Sequence, residues 1–213
     1  NGLSFTIVIG ALALMQIPPK PAGRGGKERN ILRSVGAGLR YIRNDPVLLG
    51  LILTGLVPMV FGMPYMSLLP IFADSVLGIS NEGYGFMVAL TGAGALVGAL
   101  TVAAVPHVQR RGRIMLGVMV FFGVMLILFS RASWLPLSLV LLLGVGCGST
   151  SYIAVNNTLL QTYASDEMRG RVMSIFFLNR GLVPLGTMLA GFMARLFGAP
   201  LAVTIMGIVV VCL

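Results

Sequence analysis

Few residues in this chain could do chemistry, and one of them is out of place. Arg180 is the only charged residue between Arg171 and Arg195. If that stretch is a helix entering a membrane at Arg171, nine residues at 1.5 Å rise put the Arg180 Cα ~13 Å deep. A guanidinium at that depth is costly unless water, a carbonyl, a carboxylate or an anionic ligand meets it. A polar arc lies upstream, with Ser149, Tyr152 and Asn156 on one helical stripe and Thr150, Asn157 and Gln161 on the next. Amides in hydrocarbon need partners, so the arc should face a bundle interior. Interhelical hydrogen bonding and contact with a polar ligand would each account for it. Asn157 falls at a depth comparable to Arg180 and could share its surroundings.

These groups bind or pack; they do not resemble a catalytic set. No cluster of His, Cys, Asp or Glu has nucleophile–base or metal-ligand spacing, so no enzyme activity, metal or cofactor is expected. Cys147 and Cys212 lie far apart in apolar segments, as small packing residues do. His107, beside Pro106, suits an interfacial position.

The elements that must hold these residues are membrane spans. The chain is 57% hydrophobic and 10% charged, against about a quarter charged in soluble domains. Twelve of its fifteen cations collect in alternate gaps between long apolar stretches. Seven fall from Lys20 to Arg43, three at Arg110, Arg111 and Arg113, and two at Arg169 and Arg171. That alternation is the positive-inside pattern of a repeatedly threaded chain, and it puts these three segments in the cytoplasm. The loops Asp74–Glu82 and Arg131–Trp134 then lie outside, with Trp134 at the interfacial belt. Short cationic clusters beside apolar spans suit anionic lipid headgroups, and no nucleic-acid footprint is expected.

Residues 1–17 read as the end of a truncated transmembrane helix closed by Pro18 and Pro19, and 18–45 as a cytoplasmic basic linker. Within it Ile31, Val35, Leu39 and Ile42 recur at helical spacing opposite Arg29, Arg33, Arg40 and Arg43. Such a helix lies in the membrane interface or packs on protein loops. Asp45-Pro46 opens the first complete span, the carboxylate capping free N–H groups and the proline taking the first helical position. Four further spans follow, at about Tyr84–Val105, Ile114–Phe129, Leu135–Tyr163 and Arg171–Phe197. A sixth begins after Gly198-Ala199-Pro200 and is cut by the end of the sequence. The chain therefore reads as a fragment. Pro58, Pro64 and Pro70 should make the first span bendable, and Gly144, Gly146 and Gly148 the fourth. Gly94 and Gly98 permit close helix approach, as do Gly186, Ala190 and Ala194. Ser165 with Asp166 and Glu167 reads as a helix start.

The wording of the chain resembles a known family. Asn44-Asp45-Pro46-Val47-Leu48, Phe61-Gly62-Met63-Pro64-Tyr65 and Leu69-Pro70 resemble the seventh helix of the drug- and siderophore-exporter branch of the major facilitator superfamily. Asn156-Asn157-Thr158-Leu159-Leu160-Gln161 and Asp166-Glu167-Met168-Arg169-Gly170-Arg171-Val172-Met173-Ser174 resemble its tenth-to-eleventh helix junction, and Arg180-Gly181-Leu182-Val183-Pro184-Leu185-Gly186 continues the match. The loop Gln109-Arg110-Arg111-Gly112-Arg113 is a shortened form of the superfamily's G-x-x-x-D-R/K-x-G-R-R/K motif without its Asp.

The resemblance implies an all-α, polytopic membrane protein: the C-terminal six-helix half of a twelve-helix fold with 3+3 inverted repeats. It implies helices seven and ten at the cavity, eight and eleven between halves, nine and twelve as buttresses. The expected activity is secondary transport, a proton-coupled efflux of an amphipathic small molecule by alternating access. A facilitative permease or channel-like subunit, or a non-functional piece of a longer transporter, are the alternatives. Arg180, Asn156, Asn157, Tyr152, Gln161, Tyr65 and Met63 are the cavity candidates, with Met59 and Met66 as adaptable apolar lining. Arg110, Arg111, Arg113, Asp166, Glu167, Arg169 and Arg171 are candidates for a cytoplasmic gate, a latch between the two loops. The expected partners are the substrate, a bilayer with anionic headgroups and the missing N-terminal half, and the expected location is a bacterial inner membrane.

Overall fold

A computed structural model describes residues 31–104 and 111–212, together with Thr6 and Gly10. The chain divides into two compact units, Asn1–Ile31 and Leu32–Leu213, and the helical bundle is the second. Apart from Thr6 and Gly10, the stretch read as a truncated first helix falls outside the described residues, as do residues 18–30 of the linker, His107 and Arg110. No strand occurs among the described residues.

Helix α1 (Ile31–Asn44) ends one residue before the first span. That residue, Asp45, is extended, and its Oδ1 accepts from the Val47 and Leu48 amides at 2.9 and 3.2 Å. The cap and Pro46 start α2 (Pro46–Val57) as the sequence predicts. The first span then breaks in its interior. Pro58 through Gly62 forms a π turn, Met63-Pro64 a turn that keeps helical dihedrals, α3 runs Tyr65–Ile71, and a second π turn covers Phe72–Val76. Each proline removes an intrahelical donor and crowds the preceding turn, so the helix resets beside Pro58 and Pro64.

The remaining spans are α4 (Asn81–Ala104), α5 (Arg111–Arg131), α6 (Leu135–Tyr163) and α7–α8 (Arg169–Leu178 and Val183–Phe197), the last pair joined by a 3₁₀ turn at Asn179–Leu182. The shorter α9 (Ala199–Cys212) closes the bundle. Among the described residues, five stretches are long and apolar enough to cross a bilayer, beginning with Pro46–Val76 and ending with Arg169–Phe197. Their outward faces are apolar: Phe86, Leu96 and Leu100 on α4, and Leu185, Met188 and Phe192 on α8, are exposed. Water would penalise such faces, and hydrocarbon accepts them.

Helix α6 is the hub, packing most extensively on α4 and also on α5. Glycines set the α4–α6 spacing. A methyl group at Gly94 would overlap the Leu143 carbonyl, one at Gly98 the Cys147 carbonyl, and one at Gly146 the Thr91 carbonyl. Here the sequence expectation needs correcting. The fourth span is one unbroken helix from Leu135 to Tyr163, although it contains Gly144, Gly146 and Gly148. Their missing side chains admit neighbours, Met125 at Gly144 and Phe122 at Gly148. The break lies in the fifth span, where Pro184 enters α8 just after the 3₁₀ turn. Helices α5 and α9 pack through Gly123 and Gly207, with a 2.7 Å hydrogen bond between the Ser130 and Thr204 hydroxyls.

Candidate functional site

Three spans converge where two of them change from α-helical to π or 3₁₀ pitch. The π turn Pro58–Gly62 packs against the 3₁₀ turn Asn179–Leu182 and against α8. Gly186 makes this possible, because a methyl there would overlap the Val60 carbonyl and press on Pro64. Phe122 of α5 fills the space beside Gly62 and Gly148 and ties the junction to that helix.

A small cleft opens at this junction, lined by Gly55, Pro58, Met59 and Met63 from the first span, and Tyr152 and Ile153 from α6. Phe122, Phe176 and Arg180 complete it. Its wall is apolar apart from the Tyr152 hydroxyl and the Arg180 guanidinium. Arg180 is exposed, with its Cζ 5.3 Å from the centroid of the Phe177 ring. A cation over an aromatic face keeps most of its hydrogen-bonding edge free. No carboxylate pairs with it among the described residues. The neighbour the structure supplies, an aromatic ring, is not among the partners the sequence reading named.

Behind the cleft runs a buried polar chain. Tyr152, 4% exposed, donates its hydroxyl to the Thr54 carbonyl at 3.0 Å, and Asn156 Nδ2 donates to the Tyr152 oxygen at 3.3 Å. Asn156 is fully buried against Gly55, where a methyl would collide with its amide. Gly55 thus lets the first span approach the arc. Asn156 Oδ1 has no partner, and neither do Asn157 Oδ1 and Asn179 Nδ2. A buried amide left unpaired is costly, so each of these atoms marks a place where water or a polar group would be accepted.

The other cavity candidates separate. Met63 lines the cleft; Tyr65 is buried with the Thr91 side chain beside its hydroxyl, Gln161 is exposed near the end of α6, and neither lines it. Met66 is exposed away from it. Within the arc, Ser149 bonds its own helix at the Gly146 carbonyl. Ser151, which stripe reasoning passed over, donates across to the Gly98 carbonyl at 3.2 Å. Asn179 was also missed, although an amide beside Arg180 in an apolar span is itself a signal.

At the basic end, Arg113 is exposed, Arg111 opens α5, and Arg110 lies outside the described residues. Ser165 is not a side-chain helix cap. The helix begins at Arg169 with Met168 as its N-cap, and Asp166 and Glu167 sit in the preceding turn. The Ser165 carbonyl instead accepts the Met168 and Arg169 amides, while Tyr41 of α1 occupies its hydroxyl at 3.4 Å. Asp166 pairs with Arg169 at 2.7 Å within its own turn, Arg169 Nε also reaches the Gln161 carbonyl, and Arg171 contacts Met168 sulfur. Glu167 is exposed. No described contact joins this turn to Arg113.

The chain matches the family described as Major Facilitator Superfamily over residues 2–185. It is 31% identical over 186 residues to the multidrug efflux pump Tap of Mycolicibacterium fortuitum, covering 83% of this chain and 44% of that protein. It is 26% identical over 163 residues to the staphyloferrin A transporter of Staphylococcus aureus, covering 76% and 40%. Against the enterobactin exporter EntS of Escherichia coli O1:K1 it is 29% identical over 174 residues, covering 81% and 40%. The chain spans about two fifths of the length of these curated relatives. No solved structure matches it.

Proposed function

Because the chain belongs to the Major Facilitator Superfamily, we propose that it forms the C-terminal half of a secondary transporter exporting an amphipathic small molecule. Relatives named as an efflux pump and an exporter support the direction. The observation that carries the site is the meeting of two broken spans at a cleft with one unpaired cation and an apolar wall. Broken helices near the midplane are where transporters of this architecture place their ligands, because freed backbone groups and bends tolerate rearrangement.

In this reading the cleft is this half's share of the substrate path. Met59 and Met63 receive the apolar body of the substrate, with the buried Phe122 and Phe176 rings packed behind them, and thioethers adapt to varied shapes. Tyr152 and Arg180 meet its polar part, and Asn156 holds Tyr152 in register. Transport proceeds by rocking of this bundle against the preceding half, and needs no covalent step. No carboxylate lies within the apolar stretches between Asp45 and Asp74, or between Arg171 and Arg195. Proton coupling is therefore assigned to groups elsewhere in the intact protein. The Arg113 and Asp166–Arg171 segments face the cytoplasm and form the gate region, with the Asp166–Arg169 pair as a local brace.

The test uses the intact transporter in everted vesicles. Arg180→Ala and Arg180→Lys should both cut substrate efflux by roughly tenfold or more, as expected for losing a charge-assisted contact, with membrane abundance unchanged. Normal efflux by the alanine variant would overturn the site assignment. Loss of abundance in both variants would assign Arg180 to holding the halves together instead.

A further inference from the structure

We infer that helix α1 is a docking surface for anionic phospholipid headgroups, with Leu39 seated at the lipid interface and Arg40 and Arg43 holding the phosphates. The proposal rests on the membrane-spanning arrangement above but not on transport. The apolar stripe that the sequence shows on this helix does not stay together in the fold. Gly38 and Ile42 pack into the bundle, Gly38 so closely on Ile175 and the Arg171 Cβ that a methyl there would collide with the Ile175 side chain. Tyr41 reaches Ser165, fixing the helix against the start of the fifth span. Val35 and Leu39 are left exposed, Leu39 at 52%.

Arg43 stands one turn from Leu39 on the same side, and Arg40 follows it around the helix, both exposed and without a carboxylate partner among the described residues. Packed face, apolar flank and cationic flank therefore succeed one another around α1. Orientation follows from Asp45: two helices joined through one extended residue cannot share an axis, so α1 turns away from the span as the chain leaves the bilayer. A helix in that position, apolar toward the lipid and cationic beside it, fits a surface of negative headgroups. A soluble acidic partner would leave Val35 and Leu39 in water.

The experiment places a Leu39→Trp probe in the intact protein with its other tryptophans replaced. The protein is reconstituted in phosphatidylcholine bilayers carrying brominated acyl chains on either added phosphatidylglycerol or added phosphatidylcholine at equal density. Quenching should be stronger from the phosphatidylglycerol. Arg40→Gln with Arg43→Gln should erase that preference, since each cation near an anionic surface is worth about fivefold in headgroup affinity. A Leu53→Trp control, on an exposed mid-span position, should be quenched equally by both lipids. No quenching at residue 39, equal quenching by both lipids, or a preference that survives the double substitution would each overturn the proposal. An unquenched Leu53 probe would instead overturn the membrane-spanning arrangement beneath it.

Discussion

At the scale of single residues, the polar arc of α6 was visible as a periodic run of hydroxyls and amides, but its use was not. Periodicity says which residues share a face; it does not say which carbonyl stands opposite. Tyr152 proves to be the link, donating to the Thr54 carbonyl while accepting from Asn156. Tyr152→Phe would leave Asn156 Nδ2 buried without a partner. The loss should be modest, near the ~0.6 kcal/mol average for hydrogen bonds inside membrane proteins, with an upper range of ~1.7 kcal/mol. Combined with Asn156→Ala, the two losses should fall short of their sum by a similar amount in unfolding measurements. Strict additivity would show that the pair is not coupled. Arg180 was singled out by sequence because charge in an apolar run is costly wherever it lies. The ring of Phe177 beneath it is three residues away on the same span, a spacing that sequence could have supplied.

At the scale of elements, span positions were largely legible, since length and uncharged runs decide what can cross hydrocarbon. Leu135–Tyr163 agrees at both ends, and the others differ by a few residues at their polar margins. Breaks were legible only where proline enforces them. Glycine is ambiguous: it permits a bend and it permits close approach, and the neighbour decides between them. In α6 the neighbour is the backbone of α4, so Gly146 is a contact surface. Gly146→Ala should therefore lower stability by about 1–3 kcal/mol, the usual range for an overpacked contact. Gly92→Ala on the facing helix meets nothing within 4 Å and should be neutral or slightly stabilising. Equal thermal shifts for both variants in detergent would contradict this packing.

At the scale of the whole molecule, the alternation of cationic and uncharged gaps predicts an orientation that labelling can check. Cysteines at Ser80 and Ser133 should react with an impermeant maleimide in intact cells, and cysteines at Arg113 and Glu167 only after permeabilisation. All four positions are exposed, so the reverse pattern would invert the topology. What the sequence determined by itself is the all-α membrane class, the spans, the Asp45 cap and the anomaly of Arg180. These follow from composition, local capping chemistry and the cost of charge in hydrocarbon, each of which acts along the chain. Only the tertiary structure decided which polar residues meet. The neighbourhood of the cleft beside Arg180 depends on Gly55, which admits Asn156 and Phe176, on Gly62, which admits Phe122, and on the distant Gly186, which admits the Val60 carbonyl. Such a meeting depends on what stands opposite each glycine, and no periodicity along one chain encodes that.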